Sequence, residues 1–422
     1  MALTLTDSDQ AALRGEFGPG RALAMRVVTR VANAMDATSL LDITGAHIDS
    51  CLDHGQAGID FAAKLADGGS LVRVPTTLNV ASLDLLHPEL YRGPPETATR
   101  ARRLMQYYQD MGCQPTWTCA PYQLGVRPKF GTHIAWAESN AIVFVNSVLG
   151  ARTHRYGDFI DICAAVTGRA PAAGLHLDEN RIAEVIVDVT GLQRHLFDIE
   201  VFYQVLGHLM GRLVGSRVPV IVGLPPGVSE DRLKAIGAAA ASSGSVGMFH
   251  CVGSTPEAPD LATAGGGRVP AQRITIDGAM IRDARDDLST SASDELGIVS
   301  LGTPHYSVTE FERLIDLLGD RPIHPSVDFY VSTGREVLAT IQQRGWLARL
   351  EDAGIQLVTD TCTYVTPVMA RRSGVAMTDS AKWAYYAPGN IGVDVVFGAT
   401  SDCVESAVQG RVVRDESLWG PR

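Results

Sequence analysis

Three cysteines stand apart where a short apolar run gives way to small polar residues. Cys119 lies in the turn-rich segment Gln114-Pro115-Thr116-Trp117-Thr118-Cys119-Ala120-Pro121-Tyr122. Cys362 closes Thr359-Asp360-Thr361-Cys362 behind the apolar pair Leu357-Val358, and Cys403 follows the run Val393 to Phe397 near the start of a predicted helix. A thiol at a helix N-terminus ionises more readily, which suits metal ligation or nucleophilic attack. A fourth strand end, Thr378-Asp379-Ser380-Ala381-Lys382, offers a hydroxyl beside an amine. Thiols gathered from separate loops could hold an iron–sulfur cluster with one iron open to substrate. An open iron polarises a leaving hydroxyl while a serine or similar base takes a proton, and together these remove water from a hydroxy acid.

Other polar residues sit at predicted strand ends. His47 ends Thr44-Gly45-Ala46-His47, and Thr76, Thr77 and Asn79 follow the run Ser70 to Val74. His176 falls in Gly174 to Asn180, and His305 in Gly302 to Ser307. Within Gly131 to Arg155, the residues Glu138, Ser139, Asn146, Ser147, Arg152 and Thr153 are expected to face one crevice. Each has a plainer reading: loop capping for the threonines and Asn79, a solvated helix face for Glu138, a hydrogen-bonded structural role for His176 and His305. That plainer reading fits Asn146 and Ser147 poorly, because buried polar groups need partners. For Cys51, Cys163 and Cys251 it is the expected one, a small buried hydrophobe.

The elements that must carry these groups alternate. Short apolar runs at 39–43, 70–74, 184–189, 218–222, 245–249, 273–276, 297–301, 325–331, 357–358, 375–377 and 393–397 read as strands. Between them, 18–33, 60–65, 96–111, 157–167, 201–214, 230–242, 278–288, 309–318 and 336–353 read as helices, and Ala135 to Ala141 as a helix opening. Strands alternating with helices predict an α/β chain of several α/β/α layered subdomains with largely parallel sheets. Ligands in such sheets sit at the carboxyl ends of strands. The 422 residues allow two or three subdomains, expected near 1–140, 141–290 and 291–422.

Net charge is −11, with 45% hydrophobic and 20% charged residues, which argues against nonspecific nucleic-acid binding. No apolar run has the ~18 residues of a membrane span, and the amino terminus lacks a signal pattern. The expected location is the cytoplasm, with no membrane partner. Seven scattered cysteines in a cytosolic chain argue against a disulfide framework. The chain contains no P-loop, G-x-S-x-G elbow, H-E-x-x-H or close cysteine pair, and Gly265-Gly266-Gly267 does not open a helix after a strand.

Longer segments carry a resemblance: GTHIAWAESNAIVFVNSVLGART (131–153), GLHLDEN (174–180), TPEAP (255–259), TDTC (359–362), MTDSAKWAYYAPG (377–389) and FGATSDCVESA (397–407). With Pro121-Tyr122 after Cys119, they make nearly the whole chain similar to the aconitase X family, the catalytic part of dehydratases distantly related to aconitase. The resemblance implies an aconitase-like fold and a hydro-lyase acting on a small hydroxy acid, most readily cis-3-hydroxy-L-proline, giving pyrroline-2-carboxylate. It implies a small swivel-domain subunit as partner, since no swivel domain is expected in this chain. By position, Ser380 resembles the family's catalytic serine, and Lys382 and Arg152 resemble substrate-carboxylate binders. Cys362 and Cys403 correspond to cluster cysteines. The third ligand stays open: many relatives read Gly-Cys-Pro-His where this chain reads Gly302-Thr303-Pro304-His305, and Cys119 is the alternative. Trp117 stands where relatives often have a second cysteine. A 2Fe-2S or 4Fe-4S cluster, a mononuclear iron, or no metal all remain compatible with these departures. A divergent lyase or isomerase without iron, and a noncatalytic small-molecule binder, are the competing readings.

Overall fold

A computed structural model describes residues 3–371 and 373–420. The α/β expectation holds: three parallel sheets follow one another along the chain, joined by helices. The first has the order Thr76–Leu78, Ala46–Ile48, Ala135–Trp136. The second runs His250–Cys251, Pro219–Val222, Val185–Asp188, Gln272–Thr275. The third runs Ile355–Val358, Asp328–Thr333, Leu296–Tyr306, Val375–Thr378, Val395–Phe397. An antiparallel pair, Leu40–Asp42 with Arg169–Pro171, ties the two ends of the first unit together.

Local chemistry explains many helix ends. Thr6 and Asp9 form a reciprocal capping box for Asp7–Leu13, as Ser307 and Glu310 do for Val308–Leu318. Ser380 caps Ala381–Ile391 by accepting from the Trp383 N–H. Several sequence expectations fail where short-range pattern competes with context. Ser70 to Val74 is irregular, and the strand begins at Thr76. Gly174 to Asn180 forms two short 3-10 turns. Ser245 to Phe249 forms no strand, with Ser245 left-handed at φ +65° behind its helix, and the strand is only His250–Cys251. Ala135-Trp136 joins a sheet edge, and the helix starts only at Ser139. The predicted helix 336–353 is two, Arg335–Gln343 and Trp346–Asp352, broken at Gly345 with φ +72°.

The third sheet sets up the site. Its first strand, Leu296–Tyr306, is central; the chain winds outward through two strands on one side, then restarts at Val375–Thr378 on the other. Parallel sheets open a ligand crevice where strand order reverses in this way. Helices Val308–Leu318, Arg335–Gln343 and Thr400–Gln409 share a core on one face, through Phe311, Ile315, Ile341 and Ala407. Helix Ala381–Ile391 packs on the other, burying Trp383 and Ala387 against the second unit's Phe202, Leu206 and Ile236. Leu296–Tyr306 runs past the expected end at Leu301, with an irregular register between Leu301 and Tyr306. Gly302, at φ +87°, permits that kink; a Cβ there would lie 2.1 Å from the Ser332 carbonyl oxygen. Among the described residues no helix is long and apolar enough to cross a membrane.

Candidate active site

The crevice brings two thiols together. One ligand atom from each of Cys119, Cys362 and His305 lies within 4.8 Å of the others, and all three residues are buried. Cys362 follows strand Ile355–Val358 and His305 ends Leu296–Tyr306, while Cys119 arrives from the first unit. The His305 N–H donates to Cys119 Sγ at 3.3 Å. Its ring nitrogens lie 3.0 Å from Thr118 Oγ1 and 3.2 Å from the Thr361 carbonyl oxygen. Burial holds the imidazole neutral, with a pKa lowered to about 4. The Cys362 thiol is pushed up by hydrogen bonding with Cys119 and by burial. A bound cation would displace that proton. Two soft thiols and a neutral imidazole fit iron or another transition metal. The Thr303 hydroxyl, two residues before His305 in the chain, is buried without a partner.

Cys403 does not join the group. It sits on the first turn of Thr400–Gln409, with Val404 and Ala407 in the opposite face's core. The helical phase that buries it there turns its sulfur away from the crevice. Trp117 is also buried, in the first unit's core.

Beside the thiols lies a charged pair from two units. Lys382 donates to Glu138, and both are buried. Burial opposes the ammonium, but Glu138, with Tyr364 and Cys119, outweighs it and holds the Lys382 pKa above the usual lysine range. Glu138 caps helix Ser139–Phe144 through the Ala141 N–H at 2.9 Å and accepts from Asn140. Ser139 approaches its carboxylate at 3.5 Å. Asn140 donates to the Cys119 carbonyl at 2.9 Å, linking the pair to the thiols. Ser380, one residue past Asp379, donates to the Thr303 carbonyl while capping its helix.

The first sheet presents a row of polar side chains at its carboxyl edge. His47 pairs in register with Thr77 and Trp136, so two positions on along the strands stand Asp49, Asn79 and Glu138. Asn79 donates to Asp49. The Thr77 hydroxyl meets His47 Nδ1 at 2.8 Å. His47 Nε2 and Asn79 Oδ1 are buried without partners. Burial lowers the His47 pKa to about 3. Burial first, then the charges of Glu138, Asp158 and Asp161, raise the Asp49 pKa to about 8. Sequence reasoning missed Asp49, although an acid two residues past His47 on the same strand face was the available signal.

The remaining predicted residues do not converge here. Asn146 bridges Thr153 and Gly247 backbone groups and accepts from Arg181. Ser147 accepts from the Phe249 N–H at 2.9 Å, and Thr153 accepts from the Trp136 N–H at 3.0 Å. All three are internal struts, so the single crevice expected of 138–153 splits between Glu138-Ser139 and these supports. Arg152 is committed to Asp178 and the His176 carbonyl. His176 lies between His133 and Tyr156, and burial lowers its pKa to about 3. Thr76 bonds the Val74 carbonyl at 2.8 Å, on the opposite sheet face from Thr77.

Family models for the aconitase X first, second and third domains match residues 2–179, 183–286 and 296–409. The chain is 46% identical over 414 residues to a cis-3-hydroxy-L-proline dehydratase of Pseudomonas aeruginosa, covering 97% of this chain and 71% of that one. It is 37% identical to the phosphomevalonate dehydratase large subunit of Methanothermobacter thermautotrophicus, covering 91% and 93%. The crystal structure of Thermococcus kodakaraensis aconitase X in its holo-form superposes with a TM-score of 0.86 at 31% identity, covering 96% of this chain and all of that one.

Proposed function

This chain belongs to the aconitase X family, and from that premise we propose that it is a hydro-lyase acting on cis-3-hydroxy-L-proline. Water leaves to give pyrroline-2-carboxylate. The observation that carries the reading is the convergence of Cys119 and Cys362 with His305 at the sheet's switch point, beside Lys382 and Glu138. The 46% identity to a dehydratase named for that substrate supports the choice over phosphomevalonate.

Cys119 and Cys362 are the proposed protein ligands of an iron or iron–sulfur group, with His305 or the Thr303 side as the third position. Iron there would supply Lewis-acid polarisation of the leaving hydroxyl. Lys382 and Glu138 shape the field around the substrate, Lys382 favouring an anionic acid. Ser380 is the proposed base for the proton next to the carboxylate; substrate must displace its bond to the Thr303 carbonyl. A small swivel-domain subunit is the proposed partner, in keeping with relatives named as large subunits.

The test is turnover. The chain, expressed with its small subunit and reconstituted anaerobically with iron, is expected to consume cis-3-hydroxy-L-proline with formation of the pyrroline product. Activity on phosphomevalonate alone would move the substrate assignment, and inactivity on both would overturn the reading.

A further inference from the structure

The geometry points to Asp49 as the general acid that protonates the departing hydroxyl. This rests on the dehydratase reading above. Removal of water needs two proton transfers. One takes the proton beside the carboxylate; the other delivers a proton to the hydroxyl, a poor leaving group as hydroxide. The mechanism so far names a base and a Lewis acid but no proton donor.

Asp49 follows strand Ala46–Ile48, whose two neighbours end just before Asn79 and Glu138. It is half-buried, and its carboxyl accepts from Asn79. Its backbone N–H and that of Ser50 donate to Asp161 at 2.8 and 3.0 Å, which fixes the strand end. Glu138 accepts from Lys382. Asp49 is disfavoured as an anion first by burial and then by the charges of Glu138, Asp158 and Asp161. His47 stays neutral and brings no compensating charge. A carboxyl disfavoured as an anion beside one that is ion-paired is the arrangement that separates acid from anion in an active site.

The step balances. The carbon–oxygen bond breaks with its electron pair on oxygen, and the Asp49 proton joins that oxygen so that water leaves. The carbon–hydrogen pair becomes the new double bond, and its proton passes to the base. Asp49 ends as a carboxylate and the base ends protonated; exchange with water resets both.

The experiment compares Asp49→Asn with wild type on two substrates, cis-3-hydroxy-L-proline and its analogue carrying fluoride in place of the hydroxyl. Fluoride leaves without a proton. On the hydroxy acid, kcat is expected to fall by about 10²–10⁴-fold with KM little changed. On the fluoro analogue, the variant should stay within a few-fold of wild type. Equal losses on both substrates, or none on the hydroxy acid, would overturn the assignment. Infrared difference spectra of the wild-type protein without substrate provide a second arm. The protonated-carboxyl absorbance lost between about pH 6 and about pH 10 should be larger in wild type than in D49N, where Glu310 and Asp161 still contribute. Absence in wild type of a component titrating near pH 8 overturns the assignment even if D49N fails to fold. An enzyme inactive on every hydroxy acid that still shows that component would instead sink the dehydratase reading.

Discussion

The ammonium of Lys382 donates to the carboxylate of Glu138 across 244 positions of sequence, inside the protein. Glu138 leaves the first sheet and Lys382 opens a helix of the third, so the pair exists only when the units are docked. The backbone of Glu138 is at φ +74°, unusual for a residue with a side chain, and the ion pair and its helix cap justify that conformation.

Removing one partner strands the other charge. Glu138→Gln or Lys382→Met is expected to cost about 3–5 kcal/mol, read from urea midpoints. The double substitution should cost less than the sum. Strict additivity would show that the two do not interact.

Ser380 has two jobs that substitutions can separate. Ser380→Ala loses the cap, at about 1 kcal/mol, and turnover with it. Ser380→Asp can still cap Ala381–Ile391 and should recover stability but not activity. Full activity in either variant removes serine from the chemistry.

The thiols should divide by position. Cys119→Ser and Cys362→Ser are expected to lower iron bound per chain and the visible absorbance of the reconstituted protein. Cys403→Ser should keep its iron and lose only core packing. Iron loss in C403S alone would contradict the geometry.

Asp49 has a pKa raised to about 8 from 3.8, so the unfolded chain gives up this proton at lower pH than the folded one. The sign is opposite to that of a salt-bridged aspartate. The stability tied to its proton is full below the unfolded value and drains as pH rises towards about 8. D49N should therefore be the more stable protein at that upper pH and show a flatter stability profile across the interval. A steeper profile would mean the carboxyl is ionised when folded.

Asn146 tests the distinction between support and site. Asn146→Ala leaves the buried Thr153 N–H and two carbonyls short of partners, at about 2–3 kcal/mol. The KM for substrate should not move. A large KM change at unchanged stability would return Asn146 to the binding site.

Much of the architecture was written in local pattern. Alternating apolar runs and amphipathic segments specified the layered α/β class, and the caps at Thr6, Ser307 and Ser380 are readable three residues at a time. The placing of chemistry at strand ends was legible too, because side chains there escape the sheet: Cys362, His305 and Lys382 all lie where a strand stops. Segments with mixed signals were not. Ala135-Trp136 pairs as a strand because the neighbouring strand Ala46–Ile48 offers an edge, which no local window contains.

By itself the sequence determined which residues could do this chemistry and the family they belong to, since residue types and long motifs survive without coordinates. Only the tertiary structure decided which of them meet. It turned Cys403 into a core residue by the phase of its helix, and it set Cys119 beside Cys362 by docking one unit on another. It also brought the strand ends that precede Asp49 and Glu138 side by side in a parallel sheet. Contacts between distant residues depend on how whole elements pack, and a linear pattern of residue types does not carry that information.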